Sequence, residues 1–384
     1  MESLSFDQYR ELAALGLAVP CYKIIPADLF TPITIYNALR KKGTRSFILD
    51  SCDHSIEEGR YSFLGFNPIY HFEGSDLELL RKKLKEYQTA DLENMPPFSG
   101  GAVGFFSYDA IRIFEKIPDS HPNDLGIPQV LFNFYETTLA FDHFKQKLII
   151  FDTIKPSHDL RASYDNSIKK IDEIIRKIES YSVEIQPKKA IRHEAIQVDV
   201  SDEAFKEMIA RAKAYIHNGD IFQVVLSRTF SKRSDVDPFD IFRALRMVSP
   251  THYLFYLEEP DYQIFGASPE RLIELNKGFL KTNPLAGTKP RPSIKDQERV
   301  EKELLSNPKE VAEHMMLVDL GRNDIGSIAE IGSVKVVNLK TIMRLSHVIH
   351  ISSEVIGKIK APFDAIDAIR ATLPAGTLSG APKI

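Results

Sequence analysis

The chain has 384 residues, 43% hydrophobic and 27% charged, the balance of a globular protein with material for a large core. A formal charge of −4 offers no basic surface to nucleic acid or an anionic membrane, and no apolar run reaches the length of a membrane span. Cys21 and Cys52 make no disulfide framework and suit a reducing cytoplasm, and the N-terminus lacks the basic-then-apolar order of a secretion signal.

A short helix is predicted over Phe6–Leu15, with Gly16 ending it. Prolines hold Pro20–Pro26 extended, and Pro32–Lys42 reads as a helix capped by Gly43. Phe47–Ser51 and Gly59–Phe66 read as strands. Ser99–Phe106 is a glycine-rich strand and not a phosphate loop, because no Lys-Ser or Lys-Thr follows; its glycines suit close backbone packing. Thr137–Ala140 and Lys147–Phe151 form a hairpin pair, and Ile168, Ile171, Ile175 and Ile178 mark an amphipathic helix. The polar stretch Glu184–His193 is the best boundary, dividing an N-terminal domain (1–185) from a second domain (195–384).

Beyond it, Ser201 caps a helix over Asp202–Asn218 that Gly219 ends. Phe222–Arg228 is strand-like. Gln263–Ala267, Arg271–Leu275 and Phe279–Thr282 read as one antiparallel run with a three-residue turn at Asn276–Gly278, and Ser333–Leu339 as a further strand. Within Ala312–Leu320, residues Glu313, Met316, Leu317 and Leu320 share a helix face, and the helix is expected to stop near Gly321. Glu313 is either a solvated edge residue or a carboxylate meeting a cation, for which Mg²⁺ is the natural candidate. Glu310 reads as solvated, and Asp319 and Asp324 as caps of a polar turn at 322–326. Strands and helices do not alternate in βαβ units, so the fold class is α+β with antiparallel sheets.

Six stretches in order then carry a resemblance: Gly219–Arg228, Gly266–Arg271, Asn283–Arg291, Ala312–Asp324, Ser346–His350 and Ala375–Lys383. With Leu49–Ser51, Gly59–Ser62 and Gly100–Gly104 in the first half, they resemble the chorismate-utilising enzymes, most closely the large-subunit family of anthranilate synthases. The resemblance implies a two-part antiparallel β-sandwich with helices packed outside, one part regulatory and one catalytic. It implies a chemistry in which ammonia attacks the chorismate ring, the hydroxyl leaves and pyruvate is eliminated. Glu313 matches the family's Mg²⁺ ligand, His350 its catalytic histidine and Glu270 a proton-transferring carboxylate. Thr288, Gly376 and Thr377 match substrate-contacting positions, with Thr377 at the catalytic turn. On the residues alone, His350 reads as a hydrogen-bonded core histidine, and Glu270 and Thr288 as ordinary loop and turn residues.

Two positions separate the branches of the family. Gln223 stands where water-using members carry a lysine base, and Ala286 where aminodeoxychorismate synthases carry a nucleophilic lysine. Both point to direct amination. The resemblance further implies a separate glutamine amidotransferase subunit as ammonia source and L-tryptophan as feedback inhibitor, bound around Leu49, Ser51, Tyr253 and Leu254. His252 replaces the family's usual proline there, and Leu254 its usual methionine. The alternatives are the 4-aminobenzoate branch and, from another class, an inactive interaction or regulatory fragment. The sequence ends inside the Gly380–Lys383 motif, so the further strands and second metal-binding glutamate of the family are expected beyond Ile384, and the 384 residues alone are expected to be inactive. The absence of tryptophan suits an enzyme made when that amino acid is scarce.

Overall fold

The computed structural model describes residues 2–51, 59–119, 123–182 and 194–384. They group into two units: Met1–Gln186 with Pro238–Pro269, and Pro187–Asp237 with Glu270–Ile384. The polar stretch expected to divide the chain at 184–193 lies outside the described residues, as does Cys52. The expected division at 185/195 follows chain order. By contact, Pro238–Pro269 belongs with the first unit, because Tyr253–Glu258 and Gln263–Ser268 extend its sheet.

That sheet has eight strands, in the order Glu2–Ser3, Val19–Pro26, Lys147–Ile154, Thr137–Asp142, Tyr61–Phe66, Ser46–Asp50, Tyr253–Glu258 and Gln263–Ser268. Every pairing in it is antiparallel. Alternation sends Ile48, Leu64, Leu254 and Tyr256 to one face, where they join the helix residues Tyr9, Ile35, Tyr36, Ile171, Ile175, Phe239 and Phe242 in one core. Phe47 points the other way and meets Phe98 and Tyr135. Tyr135 ends the middle strand, Val130–Tyr135, of a three-stranded sheet. There Gly104 lies so close to Leu131 that a side chain would overlap its carbonyl, which bears out the close-packing role expected of that glycine-rich strand. The second helix is shorter than expected. It ends at Leu39, and Arg40 turns extended to reach the buried Glu258.

The second unit is built on Val348–Lys358, which pairs with Phe279–Thr282, Leu285–Pro290 and Lys335–Arg344. Glu274–Asn276 forms a hairpin with Phe279–Thr282. Its connection is the two-residue Lys277–Gly278, both at positive φ (48° and 83°), rather than a three-residue turn; two left-handed residues match the twist of the strands. The expected run through Gln263–Ala267 does not exist as one sheet, since that strand pairs with Tyr253–Glu258 in the first unit. Of Phe222–Arg228 only Gln223–Val224 is strand.

One long helix, Pro308–Gly326, lies against this sheet through Val318 and Ile325. Asn307 starts it by accepting from the Lys309 and Glu310 amides, with Pro308 at its first position. It does not stop at Gly321. That glycine is buried, and a Cβ there would sit 3.3 Å from Thr282 Cγ2 and 3.4 Å from Pro284. It brings helix and strand together instead of ending the helix, and tertiary packing outweighs the roughly 1 kcal/mol that glycine costs mid-helix.

Candidate active site

The strands Leu285–Pro290 and Val348–Lys358 set the first group. Gly287 adopts φ +69° and shifts the register between Ala286 and Thr288. Ala286, buried, therefore stands opposite Ile351, while Thr288 stands opposite His350. The Thr288 hydroxyl lies 3.1 Å from His350 Nδ1. Burial pushes the His350 pKa below its ordinary value, and a hydrogen bond to the Gly287 backbone works against that. Glu270 joins this group through the Leu285 N–H, which donates to its carboxylate. Burial raises the Glu270 pKa to about 7, with the Leu285 bond opposing. A carboxyl and an imidazole that are both mixed or neutral near pH 7 can move protons in either direction.

The helix Pro308–Gly326 sets the second group. Glu313 is half-buried one turn after Glu310. Glu310 is itself half-buried rather than solvated, and its Oε2 is 3.1 Å from where a Gly287 Cβ would stand. The sequence offered no sign of this, because the bulge at Gly287 is a tertiary feature. Asp319 and Asp324 cap nothing, since no turn forms there. Asp319 pairs with Arg322 at 2.8 Å, and Asp324 with Lys383 at 2.9 Å. The four-residue helix Gly376–Ser379 rests on the long helix. Gly376 is buried there, and a side chain on it would overlap Leu320. Thr377 is the second residue of that turn. Gln223 pairs with Ala381 just beyond it, and among the described residues its buried Oε1 has no hydrogen-bond partner.

The Thr288 hydroxyl and His350 are thus in contact, Glu270 is tied to Leu285 at the start of the same strand as Thr288, the turn at Gly376 rests on the helix that carries Glu313, and Gln223 is tied to the segment after Thr377. Among the described residues no three His, Cys, Asp or Glu converge as a metal cage. Mg²⁺ needs no such cage, because it keeps water and binds through one or two carboxylates. Glu313 makes no hydrogen bond or ion pair among the described residues, which suits a hard cation.

In the first unit, Leu49 lies opposite Phe255, and Asp50 opposite Leu254. Leu49, Ser51 and Tyr253 therefore share one face by alternation, whereas Leu254 is 1% exposed in the core on the other face. The sequence reading grouped all four because they are close along two strands. Asp50, the middle residue of the Leu49–Ser51 segment, is bonded to Ser62 and Arg246. Ser62 also lies 2.6 Å from His143 Nε2. A cavity of about 410 Å³ lined by Tyr87, Glu136, Asp152, Lys155 and Lys170 is also in this unit, and none of the expected site residues lines it.

A family model described as chorismate binding enzyme matches residues 44–384. Anthranilate synthase component 1 of Acetivibrio thermocellus is 37% identical over 98% of this chain and 82% of its own length. The Lactococcus lactis protein of the same name is 38% identical over 94% of this chain and 82% of its own. The crystal structure of anthranilate synthase component I from Streptococcus pneumoniae superposes with a TM-score of 0.75 at 32% identity, covering 94% of this chain and 81% of that one. The menaquinone-specific isochorismate synthase of Escherichia coli shares the fold, with a TM-score of 0.67 at 17% identity.

Proposed function

The chain belongs to the family of chorismate-binding enzymes, grouped with component 1 of anthranilate synthase, the large subunit serving tryptophan biosynthesis, and from that premise we propose how its residues divide the work. The reaction joins ammonia to the chorismate ring with loss of the ring hydroxyl as water, then releases pyruvate as a ring proton is removed. Glu270, held near neutrality by burial, gives its proton to the departing hydroxyl. His350, kept neutral by burial and oriented by the Thr288 hydroxyl, takes the ring proton in the elimination. The Gly376–Thr377 turn lets backbone amides approach a substrate carboxylate. Glu313, with Glu310 nearby on the helix, would hold Mg²⁺, which when bound neutralises a substrate carboxylate.

The observation that carries this reading is the Thr288–His350 contact at 3.1 Å beside an alanine, Ala286, where a covalent route needs an amine. The 4-aminobenzoate branch is accordingly not favoured. Ammonia comes from a separate glutamine amidotransferase subunit, and the complex works in the cytoplasm; no helix among the described residues is long and apolar enough to cross a membrane. L-Tryptophan acts back on the first unit, against the face that carries Leu49, Ser51 and Tyr253. Leu254 supports that site from the core rather than touching the ligand.

The complete enzyme with chorismate, Mg²⁺ and ammonium is expected to release anthranilate, followed by its fluorescence. Isochorismate or aminodeoxychorismate as product overturns the assignment. Activity with glutamine and no partner subunit overturns the separate ammonia source.

A further inference from the structure

Lys383 is the penultimate residue described, and it is 13% exposed. Its ammonium lies 3.0 and 2.9 Å from the two Asp324 oxygens and 3.0 Å from the Ala371 carbonyl. Those contacts use the three donors a lysine has. Asp324, 16% exposed, lies in the last turn of Pro308–Gly326, the helix that carries Glu313. Ala371 lies at the C-terminal end of the helix Ala365–Thr372, where carbonyls attract a cation. A half-buried ion pair is a poor source of net stability, because desolvation offsets its attraction; what it supplies is fixed geometry.

Two further bolts act on the same segment. A Cβ on Gly376 would stand 2.0 Å from Leu320 Cδ2, and one on Gly380 would stand 2.2 Å from the Gln223 carbonyl oxygen. The Phe222 and Val225 amides donate to the Ala381 and Ser379 carbonyls at 2.8 and 3.1 Å. The backbone bonds register the segment against Phe222–Val225, and the apolar contact of Gly376 with Leu320 brings it near the helix without fixing its position along it; the directed bonds from Lys383 to Asp324 tie it to the helix itself.

We propose that the Lys383–Asp324 pair is a positioning device that registers the Gly376–Thr377 turn against the Glu313 helix and so sets the affinity for the dicarboxylate substrate. This rests on the reading of Gly376–Thr377 as a substrate-binding turn. The turn meets a carboxylate that is present in both substrate and transition state, so its displacement removes uniform binding and raises KM with little change in kcat.

The test uses the complete enzyme with ammonium as nitrogen source. The double variant Asp324→Leu/Lys383→Met keeps apolar volume and leaves no buried charge unpaired, so its melting temperature is expected to stay close to wild type. Its KM for chorismate is expected to rise about tenfold, with kcat within about twofold. Lys383→Gln, which keeps neutral hydrogen bonds, is expected to fall between, and it decides the matter if the double variant does not fold. Wild-type KM in a folded variant, or a lowered melting temperature with unchanged KM, overturns the proposal and leaves the pair a structural one. Wild-type enzyme that makes no anthranilate would instead overturn the functional reading.

Discussion

The core of the first unit and the candidate site of the second treat buried charge in opposite ways. In the first, carboxylates out of water meet arginines. Glu258, 1% exposed, lies 2.7 Å from Arg40, and Glu259 lies 2.8 Å from Arg45. Burial alone would raise the Asp142 pKa, but Arg60 and the Phe144 and Lys145 amides bring it below the ordinary value. At the candidate site of the second unit, burial prevails. It raises Glu270 to about 7 and lowers His350, so both lean toward their uncharged forms. The cores differ in the same sense. Tyr36, Phe239, Phe242 and Tyr256 pack ring to ring in the first unit, with Tyr36 and Phe239 centroids 4.7 Å apart. In the second, small aliphatic clusters suffice around Val318, Val355 and Ile351, and the helix Asp202–Asn218 buries no residue. Paired charge fixes a scaffold, and desolvated groups held near neutrality suit proton transfer.

Breaking a pair in the scaffold is expected to cost the most. Arg40→Ala leaves the Glu258 carboxylate buried with its main cation gone, a loss of about 4 kcal/mol in chemical denaturation, with turnover per folded molecule unchanged. A loss below 1 kcal/mol would mean that water relieves Glu258 and that the contrast between units is false. His350→Ala is expected to do the reverse. It should lower kcat about a hundredfold, roughly 3 kcal/mol, and leave the melting temperature nearly untouched, as followed by anthranilate fluorescence.

Glu270→Gln sharpens the comparison through pH. The folded pKa of Glu270, about 7, lies above the ordinary 4.5. The unfolded chain therefore sheds this proton first, so the group's contribution to stability is lost as pH rises from about 4.5 to about 7. The glutamine variant escapes that loss. It is expected to match wild type at pH 4 and to exceed it by about 3 kcal/mol at pH 8, while losing activity. A stability difference that does not change with pH would remove the basis for Glu270 as a proton donor. Ser51→Leu should be the smallest change, weakening tryptophan inhibition about tenfold, near 1.4 kcal/mol, with uninhibited rates preserved. Unaltered inhibition would place the regulatory site elsewhere.

Much of this was legible in the chain itself. The helix Asp202–Asn218, with Ser201 and Gly219 at its ends, matches its expected bounds, because caps are local chemistry. The strands Ser46–Asp50 and Tyr61–Phe66 and the hairpin through Lys147 were likewise written in alternation and turns. Motif order pointed to the chorismate-binding family, which the relatives bear out. What the sequence could not decide were the relations between distant segments. Gly321 looked like a helix stop and proved a contact surface, because only the strand packed on it makes a missing Cβ useful. Leu254 and Ser51, neighbours along two strands, were sent to opposite faces by a register that pairs Leu254 with Asp50. Asp324 found its partner 59 residues away in Lys383. Caps, turns and alternation act within a few residues, so the order of residues determines them. Register, bulges and buried ion pairs are settled by which distant surfaces meet, and that is a property of the folded chain.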